Sequence, residues 1–172
     1  CAKFNADISL WKTPRNEQMF NMFSECEEFN SNLALWDVSH VVDMRDLLAG
    51  ASKFNKPIGH WNTSSVTNMQ DMFRRAVSFS QDISKWDVSS VTNMAGLFGS
   101  AAAFNANISG WDTSSVVKFA YTFAGACAFD QDLSTWDTSS ANGMQGMFQN
   151  CQTGTFNSDI SNWNTAAVKN MK

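Results

Sequence analysis

Phe79-Ser80-Gln81-Asp82-Ile83-Ser84-Lys85-Trp86-Asp87-Val88-Ser89-Ser90-Val91-Thr92-Asn93-Met94-Ala95-Gly96-Leu97-Phe98 is one copy of a motif that recurs along the chain. Its tryptophan marks the period: Trp11, Trp36, Trp61, Trp86, Trp111, Trp136 and Trp163 are separated by five intervals of 25 residues and a last one of 27. A fixed period of this length denotes a stacked array, in which each unit is too small to bury its apolar face alone and relies on its neighbours. The chain, residues 1–172, is thus a single repeat array of about seven units.

Seven residues before each tryptophan stands a phenylalanine (Phe4, Phe29, Phe54, Phe79, Phe104, Phe129 and Phe156 in turn), and Ile or Leu follows four residues on. This arm reads as a stacked strand. After the tryptophan comes a polar turn such as Asp87-Val88-Ser89-Ser90, then Val91, Met94, Leu97, Phe98 and Ala101, whose offsets of three, three, one and three describe a helical face. Ser64, Ser89, Ser114 and Ser139 are placed to cap its first amides, and Gly50, Gly99 and Gly125 suit its exit. Each unit is therefore expected to be strand, turn and short helix, an α/β array. The nine methionines fall in two columns of the second arm and are expected in the core, as are the tryptophans, because seven exposed indoles would make a large apolar stripe.

Hydrophobic residues make up 44% of the chain and charged residues 16%, which supports a continuous core and argues against disorder. With 12 Lys and Arg against 16 Asp and Glu, a net charge of -4, the chain lacks the basic surplus that nucleic acid binding requires. No apolar run has the length of a membrane span, and no signal peptide opens the sequence. Cys1 lies in register with Cys26, and the chain stops at Met171-Lys172 part-way through a unit. The expectation is a fragment of a longer array, or a chain whose ends are covered by neighbours. Pro14, Arg15 and Asn16 depart from the repeat in the first unit, and Gln152-Thr153-Gly154-Thr155 lengthens the last link by two residues.

The combined Phe, Ile, Trp, Val, Met and Phe spacing of residues 79–98 resembles the repeats, roughly 25 residues long, of surface proteins and lipoproteins first noted in Mycoplasma and related to BspA-like leucine-rich repeats. The resemblance covers essentially the whole chain. It implies a leucine-rich-repeat-like solenoid with the Phe-to-Trp segment as strand and the Val-to-Ala segment as helix, surface exposure, and adhesion or host contact. It brings no catalytic motif.

The residues themselves carry little chemistry. His40 and His60 occupy different repeat positions, and no zinc set, nucleophile elbow or phosphate loop is present, so neither an enzyme nor a cofactor is expected. Asp87, Asp112 and Asp137 stack after their tryptophans and could line up oxygens for Ca²⁺; alternatively each accepts amides of its own turn. An Asn-rich column (Asn5, Asn30, Asn55, Ser80, Asn105, Asp130, Asn157) can bond backbone groups between layers. Cysteines in layers about 5 Å apart are within disulfide reach, which pairs Cys1 with Cys26 and Cys127 with Cys151; small buried thiols are the alternative. Asn62-Thr63-Ser64 and Asn107-Ile108-Ser109 match the N-glycosylation acceptor pattern.

A noncatalytic, extracellular or cell-surface interaction or adhesion segment is therefore expected, with a protein or carbohydrate partner. Its partner face would comprise positions that change between units: Leu10, Leu35, His60, Lys85, Thr135 and Asn162 before the tryptophans, together with Lys56, Gln81 and Gln131. Two alternatives are a building block of an extracellular fibre or coat formed by end-to-end stacking of copies, and an ice-binding array displaying Thr13, Thr63, Thr113, Thr138 and Thr165.

Overall fold

The structure, a computed structural model, describes residues 1–13, 15–151 and 156–171. Pro14, the Gln152–Thr155 insertion and Lys172 lie outside the described residues. Successive 25-residue turns lie on one another in register, as continuous columns of like side chains show. The phenylalanines of the first arm stack from Phe4–Phe29 (ring centroids 6.0 Å apart) through Phe54–Phe79 (6.1 Å) to Phe129–Phe156 (6.0 Å). Phe73, Phe98, Phe123 and Phe148 form a second column with centroids 5.7–5.8 Å apart. The two columns press face to face, with Phe98 only 3.8 Å from Phe104, and this sandwich is the spine of the core.

The α/β strand-turn-helix expectation, and with it the leucine-rich-repeat-like architecture, is overturned. Among the described residues there is no helix, and the strand content is a row of single parallel bridges: Gln18 to Asp43, Asp43 to Asn68, Asn68 to Asn93, Asn93 to Lys118 and Lys118 to Gly143. The amides of one unit show why. Met94, Gly96, Phe98 and Ser100 donate to the carbonyls of Lys118, Ala120, Thr122 and Ala124 in the next layer, at 2.6–2.9 Å. Leu97, Gly99 and Ala101 donate three residues back within their own layer, to Met94, Gly96 and Phe98, at 2.8–3.1 Å. Ala95 donates to the Asn93 side chain. Every amide from 94 to 101 is thus satisfied, yet only alternate ones bond locally, and none makes the four-residue bond that defines an α-helix.

What results is a run of overlapping β-turns. In the turns 94–97 and 98–101 the third residue, Gly96 or Ser100, has a positive φ of 65° or 58°, the type II arrangement. The same two places, ten and fourteen residues after the tryptophan, are left-handed in six consecutive units: Asn21, Asp46, Asp71, Gly96, Tyr121 and Gly146, then Glu25, Gly50, Arg75, Ser100, Gly125 and Asn150. Asn, Asp and Gly dominate because they tolerate this region best. The side chains there lie along the stack: Arg75 reaches Glu25 two layers away at 3.2 Å, across Gly50, where a Cβ would meet the Glu25 carboxylate at 2.8 Å. The helix-exit role expected of Gly50 and Gly125 is corrected to this turn role, and Gly99 has no positive φ.

The tryptophans plug the corner of each layer as expected. Trp36, Trp61, Trp86, Trp111 and Trp136 are buried, and each indole N–H donates to the Ile or Leu carbonyl 28 residues earlier, as from Trp111 Nε1 to Ile83 O at 3.2 Å. Trp11, in the first layer, is 54% exposed. Most methionines are core, with Met22 and Met171 exposed.

Candidate functional site

The first arm, read as a strand, lacks a backbone ladder between Phe79 and Trp86, and its layers are latched by side chains instead. Asn5, Asn30, Asn55 and Asn105 each accept the amide of the equivalent residue one layer on, at 2.8–3.1 Å. The expected partner-face residues divide accordingly. Gln81 and Gln131 are tied back to Asn55 and Asn105 at 2.8 and 2.9 Å. Thr135 Oγ1 donates to the Ser109 carbonyl, and His60 Nε2 lies 2.6 Å from the Ala34 carbonyl, which places the proton on that nitrogen. Leu10 and Leu35 stand 80% and 72% exposed, and Lys85 and Asn162 are exposed as well, while Lys56 is half-buried. The column is therefore a surface edge whose chemistry changes at each layer.

The aspartates after the tryptophans are occupied in their own turns. The amides of Ser89, Ser114 and Ser139 donate to Asp87, Asp112 and Asp137 at 2.8–3.1 Å, so these serines close two-residue side-chain turns instead of capping a helix. The Ser hydroxyl and then the Ser amide hold Asp37, Asp82 and Asp112 below the usual carboxylate range; at Asp7, Asp132, Asp137 and Asp159 the amide leads. Among the described residues no group of three His, Cys, Asp or Glu side chains converges to hold a metal. Asn62 and Asn107 are exposed, and both side-chain carbonyls accept the amide two residues on.

Thr13, Thr63, Thr113 and Thr138 are buried and donate their hydroxyls to the Asp or Asn carbonyl of the next layer. Their hydroxyls are thus spent within the stack, and of the column considered for ice binding only Thr165 is exposed. Cys1 is joined to Cys26 and Cys127 to Cys151 by disulfides, with Cα–Cα separations of 4.8 and 5.0 Å that also give the layer spacing. No helix among the described residues is long and apolar enough to cross a membrane.

One concave feature was missed from the sequence. On the turn-built arm a groove of about 840 Å³ crosses several layers. Its floor is made by small residues of the fourth and fifth units, Ala95, Gly96, Gly99, Ala120 and Ala124, where neighbouring units carry Gln70, Asp71 and Arg74 on one side and Gln145 and Gln149 on the other. Tyr121 and Lys118 stand within it. The signal was present as small residues at three repeat positions of two successive units, Ala95, Gly96 and Gly99, then Ala120 and Ala124.

No curated protein and no solved structure matches the chain. The family described as Mycoplasma protein of unknown function, DUF285, matches residues 1–98 and again residues 77–172, so the two overlapping stretches cover every unit described above. The register of the Phe, Ile, Trp and Met columns is shared across both stretches, and the chain belongs to this family.

Proposed function

We propose that the chain is a noncatalytic recognition module of the cell surface or extracellular space, which holds a protein or carbohydrate partner on a stiff stack of turns. The observation that carries this reading is the edge before the tryptophans, where an unvarying backbone presents Leu10, Leu35, His60 and Lys85 in succession. A core that repeats while its surface does not is suited to composite recognition, since each layer supplies one contact at a set spacing and little ordering entropy is lost on binding. Two disulfides support an oxidising setting. Kinship with BspA-like surface proteins is part of this proposal; the leucine-rich-repeat fold that would accompany it is not.

The test is binding of the intact chain to immobilised extracellular-matrix proteins and surface glycans, with Leu35→Ser, His60→Ala and Lys85→Glu combined in one variant. A loss of about tenfold or more in affinity for a bound partner supports the edge as the contact surface. Wild type that binds nothing on either panel, in oxidising buffer, overturns the reading.

A further inference from the structure

We propose that the groove between Arg74 and Gln145 binds an oligosaccharide that carries carboxylates. This rests on the recognition reading above and assigns it a second surface, on the opposite arm from the variable edge. The groove's volume, about 840 Å³, falls within the range of sites that enclose most of a small ligand. Its depth comes from truncated side chains: the positions of Gln70 and Arg74 shrink to Ala95 and Gly99 and then to Ala120 and Ala124, and that of Asp71 shrinks to Gly96 in the first of these two layers, leaving a trough along the stack with long polar side chains at each end.

Tyr121 is the only tyrosine in the chain, and it stands where the other units have Asn, Asp or Gly. Its backbone is left-handed (φ 60°), an uncommon state for a bulky residue, and its side chain is not spent on the core, being 44% exposed. The ring lies against Gly146, where an added Cβ would come within 2.5 Å of it. The neighbouring layer thus leaves room for a flat aromatic platform with a hydroxyl at its tip, a surface that offers both apolar and polar contact at low entropic cost.

The rim supplies what hydroxyl-rich ligands need. Gln70 is held by the Asp71 carboxylate (3.1 Å) and by Asn93 (3.0 Å), while Gln145, Gln149 and Asn142 add side-chain amides that donate and accept at once. The charge is the more selective feature. Arg74 lies 3.9 Å from Asp71, with Asp46 close enough to act on both, but Lys118 has no carboxylate partner among the described residues, so it is the uncompensated cation of the groove in a chain of net charge -4. An unpaired ammonium within reach of a ligand, in an otherwise acidic molecule, favours a carboxylated one. A peptide would find no apolar pocket here to anchor a side chain.

Calorimetric titration with tetragalacturonic acid and with cellotetraose tests the assignment. Tyr121→Asn introduces a residue that the same column already uses, so the fold is kept, and Lys118→Gln removes only the charge. The acidic sugar is expected to bind about tenfold or more tightly than the neutral one, to lose about tenfold with Tyr121→Asn and several-fold with Lys118→Gln, and to weaken as salt rises. No binding of either sugar, equal binding of both, or binding indifferent to both substitutions overturns the groove assignment. If the edge variant abolishes binding to a panel partner while neither sugar binds the groove, the groove assignment fails and the recognition reading stands.

Discussion

The two arms of each unit are held to their neighbours in opposite ways. Between Phe79 and Trp86 the cross-layer bonds come from side chains, with Asn55 accepting from Ser80 and the Trp86 indole donating to Ile58. Between Met94 and Ser100 they come from the backbone, four amides in a row at alternate residues. The arm with the strand-like pattern has no ladder, and the arm with the helix-like pattern has one. An apolar pattern therefore identifies which side chains meet the core, and says much less about where the backbone amides go. Side-chain latches can be removed one at a time, whereas the backbone ladder can be disturbed only by changing the conformations that aim it.

The phenylalanine sandwich belongs to both arms, so its loss should hurt them equally. Phe98→Ala and Phe104→Ala are each expected to cost about 3–5 kcal/mol in chemical denaturation. Because the rings touch at 3.8 Å, the double variant should lose less than the sum. A strongly unequal pair would mean that one arm folds without the other.

Gly96→Ala separates the turn architecture from a helix by the sign of its effect. In a helix the change stabilises by up to about 1 kcal/mol. Here φ is 65° and the new Cβ would run into Asp71 Oδ1, so a loss of about 1–2 kcal/mol is expected from the left-handed backbone, with more from displacing the carboxylate. A raised melting temperature would overturn the turn assignment.

On the other arm, Asn55→Ala removes the acceptor used by Ser80 N and Gln81 Nε2 and should cost about 1 kcal/mol. Asn55→Asp keeps the acceptor and should recover most of it. Hydrogen exchange should show faster opening of the Ser80 amide while the amides of Phe98 and Ser100 stay protected.

The smallest effect is in acid. Asp37, Asp82 and Asp112, held below the ordinary value of 3.8, contribute stability that is complete above that value and is lost as pH falls through their lower folded values. Asp46, on the turn-built arm, is pushed the other way by burial first and by the charge of Asp71 second. Its ionisation therefore opposes folding at neutral pH, and the protein gains stability as pH falls through its raised folded value towards 3.8. Asp46→Asn should abolish the gain and Asp112→Asn should lessen the later loss, read as melting temperature against pH.

Much of the core was legible beforehand. Phe, Trp, Ile and Met could be assigned to columns because a stacked repeat brings equivalent positions together whatever the local conformation, and the disulfide pairs followed from the same geometry. The Asn column declared its use, since asparagine can accept an amide from the next layer. The groove went unread because Ala95, Gly99, Ala120 and Ala124, spaced by four within their units, look like ordinary small residues of one face, and their truncation makes a trough only beside the longer side chains of the flanking layers. Asn21, Asp46, Asp71 and Gly146 were the available warning: residues suited to a left-handed backbone recurred at one position inside the supposed helix.

The sequence by itself determined the period, the register and the membership of the core, because identical side chains 25 residues apart can all be buried only by stacking. Only the tertiary structure decided between helix and turns. Residues spaced by three or four share a face in both, so the apolar pattern is silent on the choice. It is settled by the neighbouring layer, whose carbonyls take every second amide and leave too few local bonds for a helix to form.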